Sequence, residues 1–177
     1  MTGRYSLSTG VVENCNSQRT ALGIYLKKNE ICFPDVLVEN GYSAGYVGKW
    51  HLDGPEPTPP DIKRVWDTWC PPDRRHGFSF WYAYGTHNRH NAPYYWTTNA
   101  KEDEKKYIKK WSAEHEADVI INYLKNNKKQ RKSNEPFALF WSINPPHTPF
   151  KQMPERYRKR YEGMDYKDVL NRHNVQL

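Results

Sequence analysis

Pro34-Asp35-Val36-Leu37-Val38-Glu39-Asn40-Gly41, then Tyr42-Ser43-Ala44-Gly45-Tyr46-Val47, then Gly48-Lys49-Trp50-His51-Leu52 read as helix, strand and loop in that order. Proline at a first helical position and glycine just past the last punctuate the helix. The aromatic and β-branched content of 42–47 suits a short strand. The same order recurs downstream. Ala117, Ile120, Ile121 and Leu124 are spaced i, i+3, i+4 and i+7, the apolar stripe of an amphipathic helix. Ser112 is placed to cap it, Glu114, Glu116 and Asp118 suit its start, and Lys125, Lys128 and Lys129 suit its end. After a polar break at 130–135, Phe137-Ala138-Leu139-Phe140-Trp141-Ser142-Ile143 is a continuous apolar run of buried-strand length, stopped by Asn144-Pro145-Pro146-His147-Thr148-Pro149. Two such units predict an α/β sandwich with a largely parallel sheet, whose ligands sit beyond the carboxyl ends of the strands. Both terminal loops carry a histidine in that place.

Outward from these units, residues 1–16 read as loop and Ala21 to Leu26 as a short helix. Pro55, Pro57, Pro59, Pro60, Pro71 and Pro72 make 53–72 an irregular surface excursion. Residues 76–96, rich in aromatic, His and Asn side chains, suit a pocket wall or a loop packed down by its own rings. The charged run 101–110 suits a solvated face, so 53–110 as a whole is expected to be an irregular Pro- and aromatic-rich insertion. The 177 residues include 27 basic and 20 acidic side chains, a formal charge of +7. Counting Gly and leaving out Tyr, apolar residues make up about 35%, below the roughly 45–50% of ordinary domains. Yet 15% aromatic content with 7 Trp excludes a disordered chain. The two agree for a slice of a larger domain. No apolar run is long enough to span a bilayer, and no signal-peptide pattern opens the sequence. Cys15, Cys32 and Cys70 lack zinc or redox spacing and are too few for a disulfide scaffold. The basic balance favours anionic partners.

Lys49 and His51, two residues apart, point to the same side of an extended loop and can grip an oxyanion. The plainer reading is a strand end with an exposed Lys and a packed His. His147, in a loop stiffened by Pro145, Pro146 and Pro149, has the rigid backing a positioned general acid needs; the plainer reading is a surface His on a rigid turn. His87, Asn88, Arg89 and His90, beside Tyr94, Tyr95 and Trp96, form a mixture suited to sugars, since rings stack on aromatic faces and hydroxyls or anionic groups bond to the polar side chains. A loop held together by its own side chains is the alternative. No third ligand joins His87 and His90, which excludes zinc there. The basic clusters at 125–132 and 156–160 fit helix ends and solvated surface, so no nucleic-acid partner is expected.

Thr2-Gly3-Arg4, the block from Glu39 to Leu52, and Asn144-Pro145-Pro146-His147-Thr148-Pro149, in this order and at these separations, resemble the sulfatase family of the alkaline phosphatase superfamily. The resemblance runs to about Tyr161, and the Gly-Tyr to Gly-Lys-Trp-His-Leu block is its most specific part. It implies an alkaline-phosphatase-like sandwich truncated at both ends, and a sulfuric ester hydrolase acting on sulfate monoesters, chiefly of carbohydrates. It also implies a formylglycine nucleophile made from Cys or Ser in a Cys/Ser-x-Pro-x-Arg motif, and a calcium ion held by Asp and Asn. Because Thr-Gly-Arg follows that motif closely, the nucleophile is expected upstream of Met1. The calcium ligands are expected outside positions 1–177, and no metal ligand inside them. Cys15-Asn16-Ser17-Gln18-Arg19 has Cys and Arg at the right separation, but lacks the Pro and follows Thr-Gly-Arg. By resemblance, Lys49 neutralises sulfate oxygens, His51 bonds to the hydrated aldehyde and later takes its proton, and His147 supplies a proton to the leaving alcohol. The whole chain, 1–177, is then a partial catalytic domain, inactive and poorly stable alone, whose full-length form is exported to periplasm, cell surface or lysosome. A phosphoesterase or phosphotransferase of the same superfamily, and a non-catalytic anion-binding module, are the alternatives.

Overall fold

A computed structural model of the chain describes residues 1–126 and 129–164. Lys128 and the end of the 1–177 assignment therefore lie outside the described residues. Helices α1 (Ser6–Thr9), α2 (Ser17–Thr20) and α3 (Phe33–Glu39) precede strand β1 (Ser43–Lys49). Strands β2 (Phe78–Tyr84), β3 (Tyr94–Thr97) and β4 (Lys106–Tyr107) follow, then α4 (Ser112–Leu124), β5 (Phe137–Ser142) and α5 (Glu155–Arg158). The five strands form one sheet in the order β4-β3-β2-β1-β5. Its middle is parallel, β1 running with both β2 and β5, while β3 and β4 return antiparallel. The predicted α/β architecture with a parallel centre is thus present.

Strand β2 is the main departure from the sequence reading. Residues 53–71 are irregular as expected, but 78–107, placed in the same insertion, hold three of the five strands. The run Phe78-Ser79-Phe80-Trp81-Tyr82-Ala83-Tyr84 shows no polar alternation because both of its faces are covered. A register shift makes this possible: Ala44 pairs with Phe78 but Gly45 with Phe80, so Ser79 is an extra residue, its hydroxyl donating to the Ala44 carbonyl at 3.2 Å. Beyond this bulge the side chains alternate cleanly. Trp81 and Ala83 join Tyr46, Trp50, Cys32 and Cys70 in one core, whereas Phe80, Tyr82 and Tyr84 join Val47, Tyr95 and Tyr123 in the other.

Smaller expectations are corrected too, beginning with residues 1–16, read as loop, which hold α1. The helix predicted over Ala21 to Leu26 forms instead at Ser17–Thr20, because the Asn16 side chain accepts from the Arg19 N–H at 3.1 Å and Gly23, at φ +74°, ends the turn. Ser112 does not cap α4. It is the first helical residue after Trp111, and its own N–H donates to the His90 carbonyl at 2.6 Å. The buried face of α4 runs through Ala113, Glu116 and Tyr123, while Ile121 and Leu124 are each 46% exposed. Strand β5 is likewise not buried: Phe137, Phe140 and Trp141 are 37–41% exposed, since β5 pairs only with β1 and forms the sheet edge among the described residues. The run 101–107 is exposed, as expected, although it contains β4. No helix of the described residues is long and apolar enough to cross a membrane.

Candidate active site

Parallel pairing decides where the site lies. Lys49 stands opposite Tyr84, and Gly48 opposite Ser142, so β1, β2 and β5 all end at one rim of the sheet. The loops leaving that rim carry His51, His87 with Asn88, and Asn144 with His147. They enclose a cavity of about 940 Å³ whose walls include Lys49, His51, His87, Asn88, Asn144 and His147. Close approach of β1 to β5 requires Gly48, at φ +110°, because a Cβ there would lie 2.2 Å from the Ser142 carbonyl oxygen.

The Lys49 ammonium donates to Asn88 Oδ1 at 3.0 Å and to Asn144 Oδ1 at 3.5 Å. Both acceptors are neutral amides, so they fix the cation without cancelling its charge. Burial pushes its pKa down and the Asp67 carboxylate draws it back up. The His51 Nε2 lies 3.1 Å from the Cys15 carbonyl oxygen. A carbonyl only accepts, so the neutral ring carries its proton on Nε2 and leaves Nδ1 as a base. Burial pushes the His51 pKa down, the Cys15 contact opposes this, and the charge of Lys49 lowers it again. His147 is exposed at the mouth of the cavity; its Nδ1 donates to the Thr148 carbonyl at 2.8 Å, which leaves Nε2 free.

The four residues expected to bind sugar separate. His87 and Asn88 line the cavity. The His87 ring is stacked on Tyr84 at 3.9 Å, its Nε2 donates to the Tyr94 carbonyl at 3.0 Å, and its Nδ1 accepts from the Arg89 N–H at 3.3 Å. It therefore serves as a wall, with both nitrogens engaged. His90 is buried and ties loops together: its Nε2 donates to the His147 carbonyl at 2.9 Å. Arg89 is exposed outside the cavity, 5.9 Å from the Tyr94 ring centroid.

Sequence reasoning missed Asp67, Asn144 as a side chain, and Gln152. Gln152 Oε1 accepts from the His90 N–H at 2.6 Å and its Nε2 donates to the Asn88 carbonyl at 3.1 Å, binding the second loop to the third. Nothing in their spacing marks these residues; only the quoted Asn-Pro-Pro-His-Thr-Pro motif touches Asn144. Asp67 is the carboxylate of the cavity wall, and both of its oxygens are in use, by the Thr86 N–H at 2.6 Å and by the Tyr94 hydroxyl.

Calcium takes six to eight oxygen ligands. One engaged carboxylate beside a lysine does not fit it, so the described residues of the cavity do not hold that ion. Cys15, in the Cys15–Arg19 stretch, is fully buried, and burial pushes its thiol up to about 11.

The Sulfatase family model matches residues 1–174. The chain is 36% identical to the endo-4-O-sulfatase of Bacteroides thetaiotaomicron over 188 aligned residues, covering 100% of this chain and 36% of that protein. It is 32% identical to the ulvan-active sulfatase of Formosa agariphila, covering 91% of this chain and 27% of the relative. A crystal structure from Bacteroides fragilis, described as a sulfatase, superposes with a TM-score of 0.86 at 41% identity, over 98% of this chain and 38% of the other. The chain thus spans 27–38% of the length of these relatives, and over that span it belongs to the Sulfatase family.

Proposed function

We propose that the cavity binds the sulfate group of a carbohydrate sulfate monoester and that the whole protein hydrolyses the ester. The observation that carries this is the convergence of Lys49, His51 and His147, nearly a hundred positions apart at the extremes, on one cavity at the strand ends. Lys49, held by Asn88 and Asn144, meets the sulfate oxygens and stabilises charge that grows on them as the ester bond breaks. His147, when protonated, offers Nε2–H to the bridging oxygen; that proton passes to the alcohol as the sulfur–oxygen bond opens. Its Nδ1 contact with Thr148 steadies the charged ring. His51, neutral near pH 7 because of burial, accepts a proton at Nδ1. A formylglycine in the whole protein would supply the oxygen that takes up the sulfuryl group and gives up the proton His51 accepts, and calcium would offset sulfate charge. Neither has a place among the described residues of the cavity, so the 177-residue chain alone binds without turnover.

The relatives named for 4-O-sulfated and ulvan substrates support a polysaccharide substrate, and the family assignment favours a sulfate over a phosphate ester. Export to periplasm, cell surface or lysosome belongs to the same proposal, and fractionation of the source cells checks it. Isothermal titration of the chain with a monosulfated monosaccharide tests the reading. Binding is expected, with at least a tenfold loss in Lys49→Met; equal affinity of the two proteins overturns it.

A further inference from the structure

Beside the cavity stands a second cluster that no step above uses. Tyr94 backs two of the cavity's lining residues: its hydroxyl donates to Asp67, and the His87 ring lies 4.4 Å from its own. Around the Tyr94 ring are three exposed side chains. The Lys105 ammonium lies 4.9 Å from the Tyr94 centroid and 5.1 Å from that of Trp96. The Arg89 guanidinium lies 5.9 Å from the Tyr94 centroid, and the Tyr107 ring, itself 63% exposed, 5.4 Å from it.

The ladder between β3 and β4 explains the grouping. Tyr107 stands opposite Tyr94, and Lys106 opposite Tyr95, so Lys106 faces the other side of the sheet, 5.4 Å from the Tyr82 ring centroid. Acidic neighbours are present at the hairpin tip: Glu102, Asp103 and Glu104, the last accepting from the Lys101 N–H at 2.8 Å. Among the described residues neither Arg89 nor Lys105 has an ion-pair partner. Two unpaired cations beside an exposed aromatic ring, grouped around a tyrosine that touches the cavity residues Asp67 and His87, match a sugar carrying its own sulfate or carboxylate: the ring stacks on Tyr107 and the anion meets Arg89 and Lys105.

We infer that Arg89, Lys105 and Tyr107 form a second subsite for an anionic sugar residue neighbouring the one whose sulfate ester enters the cavity, so that the preferred ligand is an oligosaccharide with at least two anionic groups. This rests on the cavity being the sulfate site. Titration of the chain with two probes separates the two claims: a monosulfated monosaccharide, and a disaccharide joining the same sulfated sugar to a uronate. The disaccharide binds more tightly in the unaltered chain. Arg89→Ala, Lys105→Ala and Tyr107→Ala each weaken it roughly tenfold and leave the monosaccharide unchanged, while Tyr107→Phe, which keeps the stacking face, and Lys106→Ala, on the opposite side, bind both probes as before. Circular dichroism checks that each variant is folded. Equal affinity for the two probes, neutral Arg89 and Lys105 variants, or a loss in Lys106→Ala matching that in Lys105→Ala, which would signal general attraction to a basic chain, overturns the subsite while leaving the cavity reading standing. Absence of binding by both probes overturns both.

Discussion

Asn144 shows how much one side chain decides at the site. It accepts from Lys49 and donates toward the His87 carbonyl at 3.3 Å, while being 8% exposed. Asn144→Asp would set a carboxylate in its place, about 3.5 Å from the ammonium. At an effective dielectric of about 20 such a pair is worth roughly 4 kcal/mol, enough to outcompete a sulfate for the lysine. Loss of sulfate binding at pH 7 is therefore expected in titration calorimetry, with partial recovery below the carboxylate range. Glu116 is the opposite case, a carboxyl under the sheet and 0% exposed. Burial pushes its pKa from 4.5 up to about 7, against the donors Tyr95 Oη at 2.8 Å and Trp141 Nε1 at 2.7 Å, which favour the carboxylate. A raised acid pKa means the folded chain binds the proton more tightly than the unfolded one. This contribution therefore favours the fold below pH 4.5 and is lost as pH rises to about 7, by about 3 kcal/mol if the full shift counts. His51, His87 and His115, all lowered by burial, act with the opposite sign, losing stability as pH falls below 6.5. The Glu116 contribution is thus read as a difference. Denaturant melts at pH 5 and pH 8 should show the stability of the unaltered chain falling relative to Glu116→Gln, and a constant difference would exclude it.

At the scale of elements, β1 and the loop behind it were legible because helix, strand and glycine punctuation all point one way between Pro34 and Leu52. Strand β2 was not: with both faces covered, Phe78 to Tyr84 has no period to read, and its neighbourhood of Pro and His reads as loop. Helix α4 was found, but with its inward face offset: Ile120 of the predicted stripe packs against the core, whereas Ile121 and Leu124 do not. Ile121 and Leu124 look like core in sequence, whereas Glu116 and Tyr123 take that place because Tyr95 and Trp141 supply hydrogen-bond partners for a buried carboxyl. The site follows the same division. Lys49, His51 and His147 sit at strand ends that parallel pairing must bring together, so their meeting was readable; Asp67 and Gln152 come from irregular segments whose course only the tertiary structure fixes. Gly48 joins the two levels. Gly48→Ala places a methyl 2.2 Å from the Ser142 backbone oxygen at a φ that L-residues avoid, so β1 and β5 must part or shift. A loss of about 3 kcal/mol or more is expected in denaturant unfolding, together with lost sulfate binding, since Lys49 is the next residue. An alanine variant as stable as its parent would mean that the two strands are not in this register.

For the molecule as a whole, the open flank of the sheet is the dominant physical fact. Phe140 is 41% exposed and packs 5.9 Å from Phe33, itself 37% exposed, with Val36 at 46%; Ile143 at 44% continues the apolar surface beyond the strand. Strand β5 also leaves one row of backbone N–H and C=O groups without a strand partner among the described residues. Parallel sheets ordinarily have both faces covered, and an open apolar edge is a template for pairing with another chain. The opposite flank is different, since β4 is short and carries Lys106, a residue type that blunts an edge. Association should therefore run through β5. The isolated 177-residue chain is expected to bind an apolar dye, to melt over a broad range, and to sediment as concentration-dependent oligomers, while hydrogen exchange slows at β5 as the oligomer grows and stays constant at β4. A monomer at all concentrations with a sharp, cooperative melt would show that the exposed flank costs less than its apolar area implies. Protection growing at β4 instead would place the association on the charged edge, where salt should then weaken it.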